Sequence, residues 1–246
     1  MTKSVVIIGA TSSLARSLAH QLAQRGTNLY LAARDEVELD RIAQDLKIRY
    51  HVSVGWSRFE ALEFESHREI CDRILAAANP LEGVILCMGE LGNQPTAQTD
   101  INHALAIIQS NYTGAVSILT PLANALEQQG SGWIVGIGSV AGDRGRQSNY
   151  VYGSAKGALT LFLQGLRSRL SKVGVHVMTV KPGFMDTKMT FGLPGLFLVA
   201  QPDDVARDIL KAVQKRKNTV YLPWFWWGIM TIIRAIPEPI FKKMKL

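Results

Sequence analysis

Residues 4–22 read SVVIIGATSSLARSLAHQL: an apolar run, one glycine, a string of small hydroxyl residues, and a segment of helical period. A strand-length apolar run, a glycine turn and an amphipathic helix make up the repeating unit of an α/β domain. The unit recurs along the chain. Apolar runs at 4–9, 28–33, 50–56, 82–88, 132–138 and 175–182 are predicted strands, and 13–25, 37–47, 66–78, 103–128 and 150–172 carry helical periodicity. Strands apolar nearly throughout are covered on both faces, which implies a parallel sheet. Right-handed crossovers then convert the alternation into a single doubly wound, Rossmann-like α/β sheet. The domain is predicted over residues 1–222, with 223–246 as a C-terminal extension.

Composition agrees with one such domain. The chain has 246 residues, 47% of them hydrophobic, enough for a full core without disulfides or metals. Cys71 and Cys87 show no CxxC spacing, so reduced thiols in a cytosolic setting are expected. The apolar run at the start is too short for a signal peptide, so a cytoplasmic protein is expected. His20, His51, His67, His103 and His176 are scattered without ligand spacing, and no metal site is expected. The net charge of +7 is spread along the chain, with mild clusters at 211–217 and 242–245 and no zinc-finger spacing or RNA-binding motif. Nucleic-acid binding is not expected; anionic cofactors or anionic lipid use positive charge equally well.

The turn after the first strand contains Gly9, Thr11, Ser12, Ser13 and Leu14. Such a turn aims the free N–H groups of the helix start at a diphosphate, although a purely structural strand-to-helix turn explains it about as well. The second strand ends in Ala33-Arg34, near the place where NAD enzymes keep an acidic residue for the ribose hydroxyls. An arginine there pairs with a 2′-phosphate through its planar fork, so NADP(H) is expected rather than NAD(H); the alternative is a solvated arginine opening a helix.

Residues 138–159 read GSVAGDRGRQSNYVYGSAKGAL. Tyr152 and Lys156, spaced i and i+4, share one helix face. A tyrosine near pKa 10 is a poor acid–base catalyst at neutral pH, and an ammonium one turn away is expected to draw it down. Ser139, at the end of the preceding strand, can hold a carbonyl oxygen beside that phenol. Together the three form a device for moving a proton on or off an oxygen.

In order and spacing, Gly9, Arg34, Gly89, Asn111, Ser139, Tyr152, Lys156 and PGFMDT at 182–187 resemble the short-chain dehydrogenase/reductase family over roughly residues 3–222. The resemblance implies an NADPH-dependent oxidoreductase in which Tyr152 is the general acid in carbonyl reduction and Ser139 orients the substrate. It implies that Lys156 binds the nicotinamide ribose and lowers the tyrosine pKa, while Asn111 holds a water that links Lys156 to solvent. Pro182, Gly183, Met185 and Thr187 would shape the nicotinamide pocket, Gly9, Thr11, Ser12, Ser13, Leu14, Arg34 and Gly89 would hold the rest of the cofactor, and the assembly would be a homodimer or homotetramer.

Three departures from the family pattern stand out. The glycine motif becomes Gly9, Ser13 and Ala15; the fourth-strand motif becomes LCMG, keeping only Gly89; and no aspartate follows the third strand in WSRFEALEFES. Cys87 reads as a packed thiol, with no histidine near it in sequence. A second reading follows from the first departure: a dinucleotide-binding regulatory or scaffold protein whose altered loop has cost turnover.

The expected substrate lid, TFGLPGLFLVAQP at 190–202, is apolar, with Phe191, Leu193, Leu196, Phe197, Leu198 and Val199, and suits a bulky or lipid-bearing carbonyl or alcohol. GELGNQ at 89–94 and the 138–156 stretch also resemble reductases of 2-keto pentoses linked to decaprenyl phosphate. In the extension, the apolar run 224–233 has ten residues, against about 20 for a membrane span, and Pro237 and Pro239 prevent its continuation. Its tryptophans and terminal lysines fit a segment lying on the inner membrane face; a dimer interface or a cover over the substrate pocket remains the alternative.

Overall fold

The structure is a computed structural model that describes residues 3–192 and 197–244. Seven parallel strands form one sheet: β1 (Ser4–Ile8), β2 (Asn28–Ala33), β3 (Val54–Arg58), β4 (Leu81–Leu86), β5 (Trp133–Ile137), β6 (His176–Pro182) and β7 (Thr219–Leu222), in the order 3-2-1-4-5-6-7. The expected doubly wound parallel sheet is therefore present. On one face lie α1 (Ser13–Ala23), α2 (Glu36–Tyr50) and α8 (Pro202–Gln214), and on the other α3 (His67–Ala77), α6 (Gly114–Gln129) and α7 (Tyr150–Leu170). Every residue of β1 and β6 is buried, as strands covered on both faces require.

Several boundaries moved for local reasons. The predicted strand 50–56 shortens to Val54–Arg58 because α2 runs on to Tyr50, supported by an Asp45–Arg49 pair in its last turn. It ends where His51 takes the left-handed conformation. β7 was not expected: it has only four residues and lies at the sheet edge. The predicted helix 103–128 is two α-helices, α5 (Ile101–Ile108) and α6, joined by a π turn at Gln109–Thr113, and short α4 (Gln94–Thr99) precedes them. A π turn inserts a residue into the α ladder and is frequent at functional sites; this one carries Asn111.

After β7 the chain folds back on the domain as α9 (Trp226–Ala235) and α10 (Glu238–Phe241). Trp226 and Met230 are buried against Val140, with Phe184, Tyr221 and Phe225 around them. Trp226 packs directly on Gly183, where a methyl group would meet its indole at 1.9 Å. Arg144, in the loop after β5, donates to the carbonyls of Ile233 (2.6 Å), Arg234 (3.2 Å) and Ile236 (2.6 Å) and pairs with Glu238 at 2.9 Å. One guanidinium thus satisfies carbonyls at the open end of α9. Beside it, Asp143 is held by Lys181 of β6 and accepts from the Tyr221 hydroxyl at 2.7 Å. The loop between β5 and α7 is therefore tied to β6, β7 and the C-terminal helices at once.

Candidate active site

The chain winds outward from β1 through β2 to β3, then returns to β4 and winds the other way to β7. The crevice beyond the carboxyl ends of β1 and β4 is the topological switch point, where open α/β sheets bind ligands. Gly9 leaves β1 with φ +80°, and a Cβ there would lie 2.7 Å from the Met88 nitrogen. Only glycine allows both the backbone conformation and that approach. Ser12 then caps α1, its hydroxyl accepting from the Ala15 amide at 3.3 Å.

Two adjoining cavities open here, sharing Thr11, Ser12, Cys87, Met88, Gly89 and Lys188. The outer one, about 320 Å³, is lined by Gly9, Arg34, Phe59, Glu60, Ala61 and others. The Arg34 side chain is 71% exposed, and its Nε lies 3.8 Å from the Glu60 carboxylate. Where no aspartate follows the third strand in sequence, the structure places Phe59, Glu60 and Ala61, which form one wall of the outer cavity. No aspartate motif announced them; only the pairing of β2 with β3 brings them beside Arg34.

The inner cavity, about 350 Å³, holds Ser13, Leu14, Ser139, Tyr152, Lys156, Pro182, Gly183, Met185 and Thr187. All of the expected cofactor and catalytic positions except Asn111 therefore line one cavity or the other. Asn111 is fully buried behind them. It accepts from the Glu90 amide at 3.2 Å and donates to the carbonyls of Glu90 (2.7 Å) and Ile107 (2.8 Å). A Cβ on Gly89 would lie 2.8 Å from Lys156 Nζ and 2.9 Å from Asn111 Oδ1, so both side chains converge on that glycine. Lys188, which sequence reading did not single out, faces both cavities.

Ser139, two residues past β5, accepts from the Ala141 amide at 3.1 Å. Lys156 Nζ donates to the carbonyls of Met88 and Ile137, each at 3.2 Å, and sits 5.8 Å from the Tyr152 ring centre. Burial pulls this ammonium down to about 8. Burial also pushes the Tyr152 phenol up to about 12, against a hydrogen bond with Ser139 that works the other way. The expected lowering of Tyr152 by Lys156 is thus not met in the free protein: desolvation outweighs a charge that points at two carbonyls. Tyr152 stands as a neutral phenol, the form that donates a proton. Burial likewise raises the Cys87 thiol to about 12, consistent with a packed group.

Comparison with known proteins agrees with this fold. Residues 3–193 match the short chain dehydrogenase family. An uncharacterized oxidoreductase of Mycobacterium tuberculosis is 35% identical over 240 residues, spanning 98% of this chain and 96% of its own. A short-chain dehydrogenase from Sphingobium yanoikuyae, solved in complex with NADPH, superposes with a TM-score of 0.82 at 25% identity, covering 98% and 96% of the two chains. One from Burkholderia cenocepacia in complex with NADP reaches 0.83 at 21% identity, covering 98% and 97%. The chain belongs to the short-chain dehydrogenase family, a class of oxidoreductases.

Proposed function

We propose that the protein is an NADPH-dependent carbonyl reductase, or the reverse alcohol dehydrogenase, acting on a hydrophobic or lipid-linked substrate with Tyr152 as its general acid. The carrying observation is the joined cleft, with Arg34 at one end and Ser139, Tyr152 and Lys156 at the other. The residues fit the cofactor: the Gly9 cradle and the capped start of α1 suit a diphosphate, and Arg34 suits a 2′-phosphate. Bound NADPH would supply the hydride. The Ser139 hydroxyl donates to the carbonyl oxygen, and Tyr152 gives that oxygen its proton as the negative charge develops. Lys156 contributes a positive charge and a ribose contact, and Asn111 fixes the Gly89–Glu90 backbone beside it, with the family's water relay as its further proposed role.

Fluorescence titration with NADPH, followed by NADPH oxidation across a carbonyl panel, tests the reading. We expect saturable binding and turnover of at least one apolar ketone or aldehyde; binding without any turnover favours the regulatory or scaffold alternative. The lipid-linked part rests on the apolar cavity walls and the keto-pentose reductase resemblance. Of the lid positions, Phe191, Phe197, Leu198 and Val199 are exposed, and Leu193 and Leu196 lie outside the described residues.

The domain at 1–222 and the extension at 223–246 keep their proposed division, with the extension also proposed as a peripheral seat on the inner membrane face. Among the described residues no helix is long and apolar enough to cross a membrane. Instead α9 buries Trp226 and Met230 and leaves Trp227 and Ile232 exposed, with Trp224 just before it 80% exposed. Lys242 and Lys243 follow on the surface, while Lys245 lies outside the described residues. Exposed tryptophans next to lysines suit an anionic interface. Full-length protein should sediment with phosphatidylserine-containing liposomes, and Trp224→Ser with Trp227→Ser should lose most of that binding. If wild type stays in the supernatant while the double variant shifts from dimer or tetramer to monomer, the surface is a subunit interface.

A further inference from the structure

Two arginines in the loop between β5 and α7 have opposite surroundings. Arg144 is saturated by the carbonyls of α9 and by Glu238. Arg146, two residues on, lines the inner cavity with Ser139 and Tyr152. Among the described residues its Nη2 reaches only the Met230 thioether, at 3.3 Å, and its Nε is buried without a partner. The nearest carboxylate in sequence, Asp143, is engaged by Lys181 and Tyr221. Asn149, on the same cavity wall, has a buried amide oxygen without a partner, and its side chain neither caps α7 nor bonds another described residue.

Arg146 is partly buried, and desolvation outweighs the pull of Asp143, which already serves Lys181 and Tyr221. Such a guanidinium is costly, and so is a buried amide oxygen without a partner. Arg146, Lys156 and Lys188 face this cavity, and no carboxylate is among its described lining residues. The rest of its wall is largely apolar, including Leu91, Val140, Phe184 and Met189. A ligand that completes such a cavity brings a negative oxygen to the arginine and apolar surface to the wall.

We propose that Arg146 and Asn149 form the recognition site for an anionic oxygen group, a carboxylate or a phosphate, carried by the substrate near its reacting carbonyl. This rests on the inner cavity being the substrate site. The Arg146 guanidinium donates to the anion, and the Asn149 side-chain NH2, which has no partner among the described residues, donates to the same group. The neutral remainder of the substrate lies along the apolar wall. The substrate class is thereby narrowed from hydrophobic carbonyl compounds to amphiphilic ones with an acidic head.

The test is calorimetric titration of the full-length protein, first with NADPH alone and then, saturated with NADPH, with decanoate, decyl phosphate and decanamide. The three probes share a chain and differ in head group. Wild type should bind one of the two anions at least about 10-fold more tightly than decanamide, as a charge-assisted hydrogen bond predicts. The tighter anion identifies carboxylate or phosphate as the head. Arg146→Met should abolish the preference, Arg146→Lys should keep part of it, and Asn149→Ala should reduce it about threefold. NADPH affinity of each variant, measured first, establishes that its cleft is folded. No anion preference in wild type, or a preference that survives in both Arg146→Met and Asn149→Ala, overturns the inference. Failure of wild type to bind NADPH overturns the cofactor reading instead.

Discussion

Tyr152→Phe should lower turnover at least about a hundredfold while leaving NADPH binding nearly intact. The substitution removes one hydroxyl from a buried ring and almost no volume, so packing by Val151, Ala141 and Ile107 persists. What is lost is the proposed proton donor, and general acid catalysis contributes roughly 10²–10⁴ in rate. Single-turnover oxidation of bound NADPH measures the chemical step directly; a rate near wild type would remove Tyr152 from the mechanism. The pH profile adds a second readout. Because burial holds the phenol at about 12, Tyr152 stays protonated throughout the neutral range. Lys156, at about 8 in the free protein, is charged below that pH and neutral above it. The kcat/KM for NADPH, which reports the free enzyme, should therefore fall as pH rises through about 8.

Arg34→Ala should weaken NADPH by about 10- to 100-fold and change NADH by less than about threefold. The loss corresponds to one charged hydrogen-bonding group, about 1.5–3 kcal/mol, and only NADPH carries the 2′-phosphate that Arg34 is proposed to hold. The side chain is mostly exposed and its ionic contact with Glu60 is long, so the fold should not change measurably. Adding Ala33→Asp places a carboxylate where the phosphate would lie and should move the preference further toward NADH. Fluorescence titration of both cofactors checks this, and equal weakening of the two would make Arg34 a structural residue.

The clustering of Ser139, Tyr152 and Lys156 was readable because its parts are local. Tyr152 and Lys156 are one helical turn apart, and Ser139 follows a strand whose apolar pattern is unambiguous. Arg34 was readable for the same reason, as the residue that ends β2. The position of Asn111 was readable from the family motif, but its π turn was not, since the apolar period runs smoothly through both flanking helices. The place of Phe59 to Ala61 in the outer cavity was hidden because their meeting with Arg34 depends on which strand pairs with β2.

Continuous apolar runs alternating with segments of helical period determined the parallel α/β sheet, because run length and helical period are properties of consecutive residues. The protonation state of Tyr152 was decided only by tertiary structure. The i,i+4 spacing promised a lowered pKa, yet the lysine points at two backbone carbonyls and burial dominates. The C-terminal helices are the same kind of case. Their composition allowed a membrane seat, a dimer face or a pocket cover. Only folding showed that Trp226 and Met230 point inward while Trp224 and Trp227 point out. Which side of a short helix is buried depends on the surface it meets. Here that surface is built from Val140, Tyr221 and Phe184 of three distant segments.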